Sequence, residues 1–174
     1  GDSIMAYWNA PFDIDNHADK AVISALEQLE ELKKLNIILK NLNQPKIDIG
    51  IGITTGIVTV GEIGSIGRSD YTIIGDNVNL GSRIESLCKF YGCNLIISEN
   101  TKEQLKEKYI FRYLDFIKVK GKDIPIKIWE VISLENNKTK ELFEELDKYN
   151  QAINLYKNSN FKEAMIIFEE LKNS

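Results

Sequence analysis

Apolar residues return along this chain at two different periods, and each change of period marks an element. Ala18, Val22, Ala25, Leu29 and Leu32 recur every three or four residues with Glu27, Glu30, Glu31, Lys33 and Lys34 between them, which predicts a helix burying one stripe. From Ile47 the period falls to two: Ile47, Ile49, Ile51 and Ile53 alternate with Asp48, Gly50, Gly52 and Thr54, the pattern of a half-covered strand. Thr55-Gly56 supplies a turn, residues 57–60 a second strand, residues 61–69 a glycine-containing loop and residues 71–75 a third strand. Three strands in close succession predict antiparallel neighbours. Helical spacing resumes with Leu80, Ile84, Leu87, Cys88 and Tyr91, with Asp76 as the cap in front and Gly92 as the stop behind.

Upstream, residues 4–8 form a strand-like run ended by Pro11, and Asp15-Asn16 offer a side-chain cap for the first helix. Downstream come a strand over 95–97, a short polar helix over 101–108 and a hairpin formed by 111–119 and 126–132 around Gly121 and Pro125. The mixed order predicts an α+β fold, not a doubly wound sheet. After residue 134 the pattern is helical only, so the expected domains are 1–134 and 135–174. In the second, Ala152, Leu155, Tyr156, Phe161, Ala164, Phe168 and Leu171 resemble one tetratricopeptide-type helical hairpin, in which small residues let paired helices approach. A plain amphipathic hairpin is the alternative.

Charge and composition narrow the function. The 174 residues carry 26 acidic and 22 basic side chains, a net charge of −4, which is not built to neutralise a nucleic-acid backbone. With 43% apolar and 28% charged residues the chain has enough apolar surface for a core. No apolar run is long enough for a membrane helix and the first residues lack a secretory layout, so this chain is expected in the cytoplasm, any membrane anchor lying upstream. Gly1 stands where an initiator Met would, and the sequence is expected to be a piece of a longer protein. Cys88 and Cys93 form neither a disulfide framework nor a CxxC pair and read as buried small apolar residues.

Common phosphate motifs are absent: there is no GxxxxGK[ST], and Gly50, Gly52 and Gly56 do not fit GxGxxG. The lone histidine, His17, sits at a helix start beside Asp15 and Asp19 and reads as a capping residue. A polar set remains. Thr72 lies within an apolar strand, and Asn79 and Arg83 are four residues apart, on one face of the following helix. A guanidinium and an amide aimed together at a polyanion suit phosphoryl chemistry, whose barrier falls chiefly through positioning and charge stabilisation. The alternative is a surface Arg83 paired with Glu85 or Asp76. Lys118-Val119-Lys120-Gly121-Lys122 reads as a basic hairpin tip, and Asp2 as a turn residue or a metal ligand.

Five segments, in this order, resemble a known family. They are Gly1-Asp2-Ser3-Ile4-Met5-Ala6, His17-Ala18-Asp19-Lys20-Ala21, Gly50-Ile51-Gly52-Ile53-Thr54-Thr55-Gly56, the long run from Asp70-Tyr71-Thr72 through Gly75-Asp76-Asn77-Val78-Asn79-Leu80-Gly81-Ser82-Arg83 to Ser86, and Val119-Lys120-Gly121-Lys122. Together they resemble the class III nucleotide cyclase catalytic domain in its bacterial adenylate cyclase form. The resemblance implies a ferredoxin-like α+β domain that pairs head to tail with a second copy, each active site lying at the interface. It implies that Asp2 binds a metal, Mg²⁺ or Mn²⁺, as one of two aspartates. Thr72 would read the purine, Asn79 orient the ribose, Arg83 stabilise the transition state, and Lys120 or Lys122 hold the terminal phosphates of ATP.

Similar guanylate cyclases usually carry cysteine at the position of Thr72, so ATP is expected over GTP. The first metal aspartate and a purine-contacting lysine would precede Gly1. The 174-residue chain alone is therefore expected to make no cyclic AMP, and the longer protein to make it. Two other readings stand beside this one: a catalytically incomplete cyclase-like module that binds nucleotide or a partner domain, and a protein-binding repeat for which the α+β part is a base. The related diguanylate cyclases are set aside because their GGDEF signature is missing.

Overall fold

A computed structural model of the chain describes residues 3–65, 67–118 and 125–173. It divides into two compact units, Gly1–Ile132 and Ser133–Ser174. Among the described residues no helix is long and apolar enough to cross a membrane.

The first unit is α+β. Helix α1 (His17–Asn41) buries Ala18, Ala21, Val22 and Ala25 at the predicted spacing, while Leu29 and Leu32 are only half-buried. Asp19 is buried with that stripe, and its carboxylate accepts from the Lys106 N–H at 3.0 Å, the Glu107 N–H at 3.1 Å and the Tyr109 O–H at 3.0 Å. A charge so placed is tolerated because its oxygens have donors. The expected side-chain cap is not made: Asn16 stands at the cap position in a left-handed conformation, φ 56°, with no side-chain hydrogen bond.

Strand β1 (Ile51–Ile53) is shorter than the alternation of isoleucines predicts. The Asn36 side chain takes both backbone groups of Ile47, accepting from its N–H at 2.9 Å and donating to its carbonyl at 2.8 Å, which occupies the bonds a neighbouring strand would need. The chain then forms β2 (Thr59–Ser65) and β3 (Arg68–Ile74), an antiparallel pair in which Gly61 faces Thr72. Most of the stretch expected as a glycine loop is thus strand. β1 does not join this pair. It lies parallel to β4 (Leu95–Ser98), which is antiparallel to β6 (Ile126–Leu134), with β5 (Tyr109–Ile117) at the far edge, giving the order β1-β4-β6-β5.

Between β3 and β4 in sequence runs α2 (Asp76–Tyr91), packed on β1 and β4. Its N-cap is Gly75 and not Asp76, which sits inside the first turn, where a carboxylate favours the positive end of the helix dipole. Gly92, φ 65°, closes the helix as predicted. Leu80, Ile84 and Cys88 of α2 meet Cys93, Ile96, Leu114 and Ile128 in the core. The short helix α3 (Glu99–Gln104) starts two residues earlier than expected because Ser98 caps it, accepting from the Thr101 N–H. Residues 4–8, expected as a strand, have no regular secondary structure.

The second unit is a helical hairpin, α4 (Lys140–Lys157) and α5 (Phe161–Asn173), with Ser159 in the turn at φ 63°. Thr139 caps α4 by accepting from the Leu142 N–H at 3.2 Å. Ala152 and Ala164 are fully buried between the helices, and the edge-on rings Tyr149–Phe168 and Tyr156–Phe161, 5.8 and 5.4 Å between centroids, fill the flanks.

Candidate active site

The site is built around the passage from β3 into α2. Thr72 is half-buried on β3, three residues before Gly75; Asn79 and Arg83 stand one turn apart on α2, both exposed, beside its buried stripe. Among the described residues none of these three side chains has a hydrogen-bond or ion-pair partner. Arg83 is therefore not paired with Glu85 or Asp76. A guanidinium with five donors and an amide, both left free on one helix face, are available to a ligand.

What fixes that face in space is the pair of glycines, one just before β1 and one within it, that face α2. Gly50 and Gly52 alternate on the surface of the sheet that receives α2. A Cβ on Gly50 would lie 2.9 Å from the Cβ of Cys88, and one on Gly52 would lie 2.5 Å from the Gly81 carbonyl oxygen and 2.9 Å from the Cα of Glu85. Backbone thus meets backbone, and no larger residue fits without moving the helix. The start of α2 is tied down as well. The Thr54 hydroxyl donates to the Asn77 carbonyl at 2.9 Å, and Asn77 Nδ2 donates to the Ile57 carbonyl at 3.0 Å, its amide lying where a Cβ on Gly56 would be. Thr54, Gly56 and Asn77 lie within the segments that carry the family resemblance, but the motif reading gave none of them a role in placing α2.

Of the remaining expected site residues, Asp2, Lys120 and Lys122 lie outside the described residues. Among the described residues there is no group of three or more His, Cys, Asp or Glu that could hold a metal ion. His17 opens α1 half-buried.

Residues 1–133 match the family described as the adenylate and guanylate cyclase catalytic domain. The chain belongs to this family. The cyclase domain is 41% identical over 138 residues to an adenylate cyclase of Anabaena cylindrica, covering 75% of this chain and 26% of that protein. It is 37% identical over 134 residues to adenylate cyclase 1 of Rhizobium meliloti, covering 77% of this chain and 20% of that protein. The chain thus spans about a quarter or less of the curated relatives it matches. Among solved structures, the adenylyl cyclase CyaB from P. aeruginosa aligns with a TM-score of 0.65 and 31% identity, over 75% of this chain and 67% of that one. The cyclase fold accounts for the mixed order of helices and strands, and Thr72, Asn79 and Arg83 all fall within the matched residues.

Proposed function

We propose that this cyclase domain serves an adenylate cyclase, which converts ATP into 3′,5′-cyclic AMP and pyrophosphate. The observation that carries the reading is the pair Asn79 and Arg83, without partners among the described residues and one turn apart on a helix locked to β1 by backbone contact. In this reading the ribose 3′-hydroxyl gives up its proton to water as its oxygen attacks the α-phosphorus of the same nucleotide, the bond from that phosphorus to the oxygen bridging to the β-phosphate breaks, and pyrophosphate leaves. Asn79 holds the ribose so that its 3′-oxygen faces the α-phosphorus, which converts a flexible approach into a fixed one. Arg83 meets the charge that gathers on the α-phosphoryl oxygens. The Thr72 hydroxyl accepts from the adenine amino group, and Lys120 or Lys122 holds the terminal phosphates.

A divalent ion, Mg²⁺ or Mn²⁺, belongs to the reading through the family, with Asp2 as this chain's ligand. When bound it would supply positive charge to the phosphates and acidify the 3′-hydroxyl. A second copy of the domain, docked head to tail, completes the cleft: Asp2 comes from one copy, and Thr72, Asn79 and Arg83 from the other.

The test is product identity. The full-length protein with Mn²⁺ and ATP is expected to release cyclic AMP and pyrophosphate in equal amounts, with GTP the poorer substrate. Release of ADP and phosphate, or equal use of GTP, would overturn the assignment.

A further inference from the structure

The end of α2 brings two thiols together. Gly92 takes the left-handed conformation, φ 65°, and the Cys93 N–H bonds back to the Cys88 carbonyl at 3.1 Å. This is the six-residue closure of a Schellman end, in which the first and last side chains commonly meet. With standard backbone dimensions, a hydrogen bond of that length keeps the two Cα atoms within about 7 Å. That limit coincides with the largest separation a disulfide bridges without backbone movement. Both side chains enter the same core cluster, Cys88 at 3% exposure and Cys93 at 8%, so Cys93 is the nearer to solvent. Both are free thiols.

Their surroundings make them unequal. The neighbouring Cys93 S–H is the main cause holding the Cys88 thiol below the ordinary range, against the opposing effect of burial. Cys93 is pushed far up, first by its bond to Cys88 and then by burial. The Cys88 S–H also donates toward the Ile51 carbonyl at 3.6 Å and the Ile84 carbonyl at 3.9 Å.

We propose that Cys88 and Cys93 are a redox modification site, which two-electron oxidants close into an intramolecular disulfide joining the last turn of α2 to the turn that leads into β4. With a peroxide, one thiol gives up its proton and its sulfur attacks the O–O bond, becoming a sulfenic acid while the departing oxygen takes up that proton and leaves as water. The second cysteine's sulfur then attacks that sulfur and loses its own proton as the hydroxyl leaves as a second water. Two thiols and one peroxide thus give one disulfide and two waters. The proposal stands independently of the cyclase reading.

The folded, fully reduced chain is treated with hydrogen peroxide or oxidised glutathione, then denatured, alkylated and weighed intact. The expected product has lost the mass of two hydrogens, takes up no alkyl group, and yields a Cys88–Cys93 cross-linked peptide on digestion. Cys93→Ser is expected to keep a sulfenic acid or a mixed disulfide on Cys88. The equilibrium with glutathione should favour the disulfide at least about tenfold more in the folded chain than in urea, because the fold holds the sulfurs together. Two alkylatable thiols after oxidation, a disulfide between chains, or the same equilibrium constant folded and in urea would overturn the proposal.

Discussion

Gly52 of β1 lies so close to Glu85 of α2 that a Cβ added to the glycine would stand 2.9 Å from the Glu85 Cα. This approach sets where α2, and with it Asn79 and Arg83, stands over the sheet. Gly52→Ala is expected to cost about 1–3 kcal/mol, as overpacking of a filled interior does. Urea unfolding measures it. Because the helix must shift, turnover should fall further than stability alone explains, by as much as about 10²-fold for a displacement near 1 Å.

The same geometry shows what was legible in the sequence. The 3.6-residue spacing of Leu80, Ile84 and Cys88 marks α2, and Gly92 marks its end, because both signals are local. The partner of β1 is not a local property. Ile51 pairs with Leu95, more than forty positions away, and nothing within the run of alternating isoleucines distinguishes that parallel contact from an antiparallel one with the next strand. Nothing local to Asp19 shows that the Lys106 and Glu107 N–H groups and the phenol of Tyr109 come round to bond it. Spacing pairs Asn79 with Arg83 on one face, but the glycines that hold that face acquire meaning only once a helix lies on them.

Asp19→Asn removes one carboxylate oxygen from three donors and leaves at least one of them unsatisfied in the interior. The expected loss is about 2–3 kcal/mol, read from the urea midpoint.

The bond from Tyr109 to Asp19 also predicts a pH dependence. Burial first, and the Asp19 carboxylate second, push the Tyr109 phenol above its ordinary value. In the pH range above about 10 the folded chain then holds a proton that the unfolded chain has released. Stability from this group is fully present below that pH and is lost as pH rises through the folded-state value. Urea midpoints should decline on the alkaline side, and Tyr109→Phe should flatten the decline.

Thr72→Val keeps the shape of the side chain and removes its hydroxyl. If that hydroxyl accepts from adenine, kcat/KM for ATP relative to GTP should fall about tenfold, the equivalent of one neutral hydrogen bond. An unchanged ratio would mean that purine choice is made elsewhere.

Arg83 is exposed and without a partner among the described residues, so its removal should leave the fold intact. Arg83→Ala is expected to raise the barrier by about 2.7–4 kcal/mol, or 10²–10³ in kcat, as loss of a preorganised donor does. An unchanged urea midpoint, measured alongside, separates this from misfolding.

The central claim is that one copy's Asp2 and another copy's Arg83 serve the same ATP molecule. Full-length Asp2→Ala and Arg83→Ala proteins, each assayed alone with Mn²⁺ and then mixed to exchange subunits, test it most directly. In a head-to-tail pair the mixed dimer carries one site with both substitutions and one with neither. The account predicts two nearly inactive proteins whose equal mixture recovers about a quarter of the unsubstituted rate of cyclic AMP synthesis. A mixture no more active than its components would contradict it.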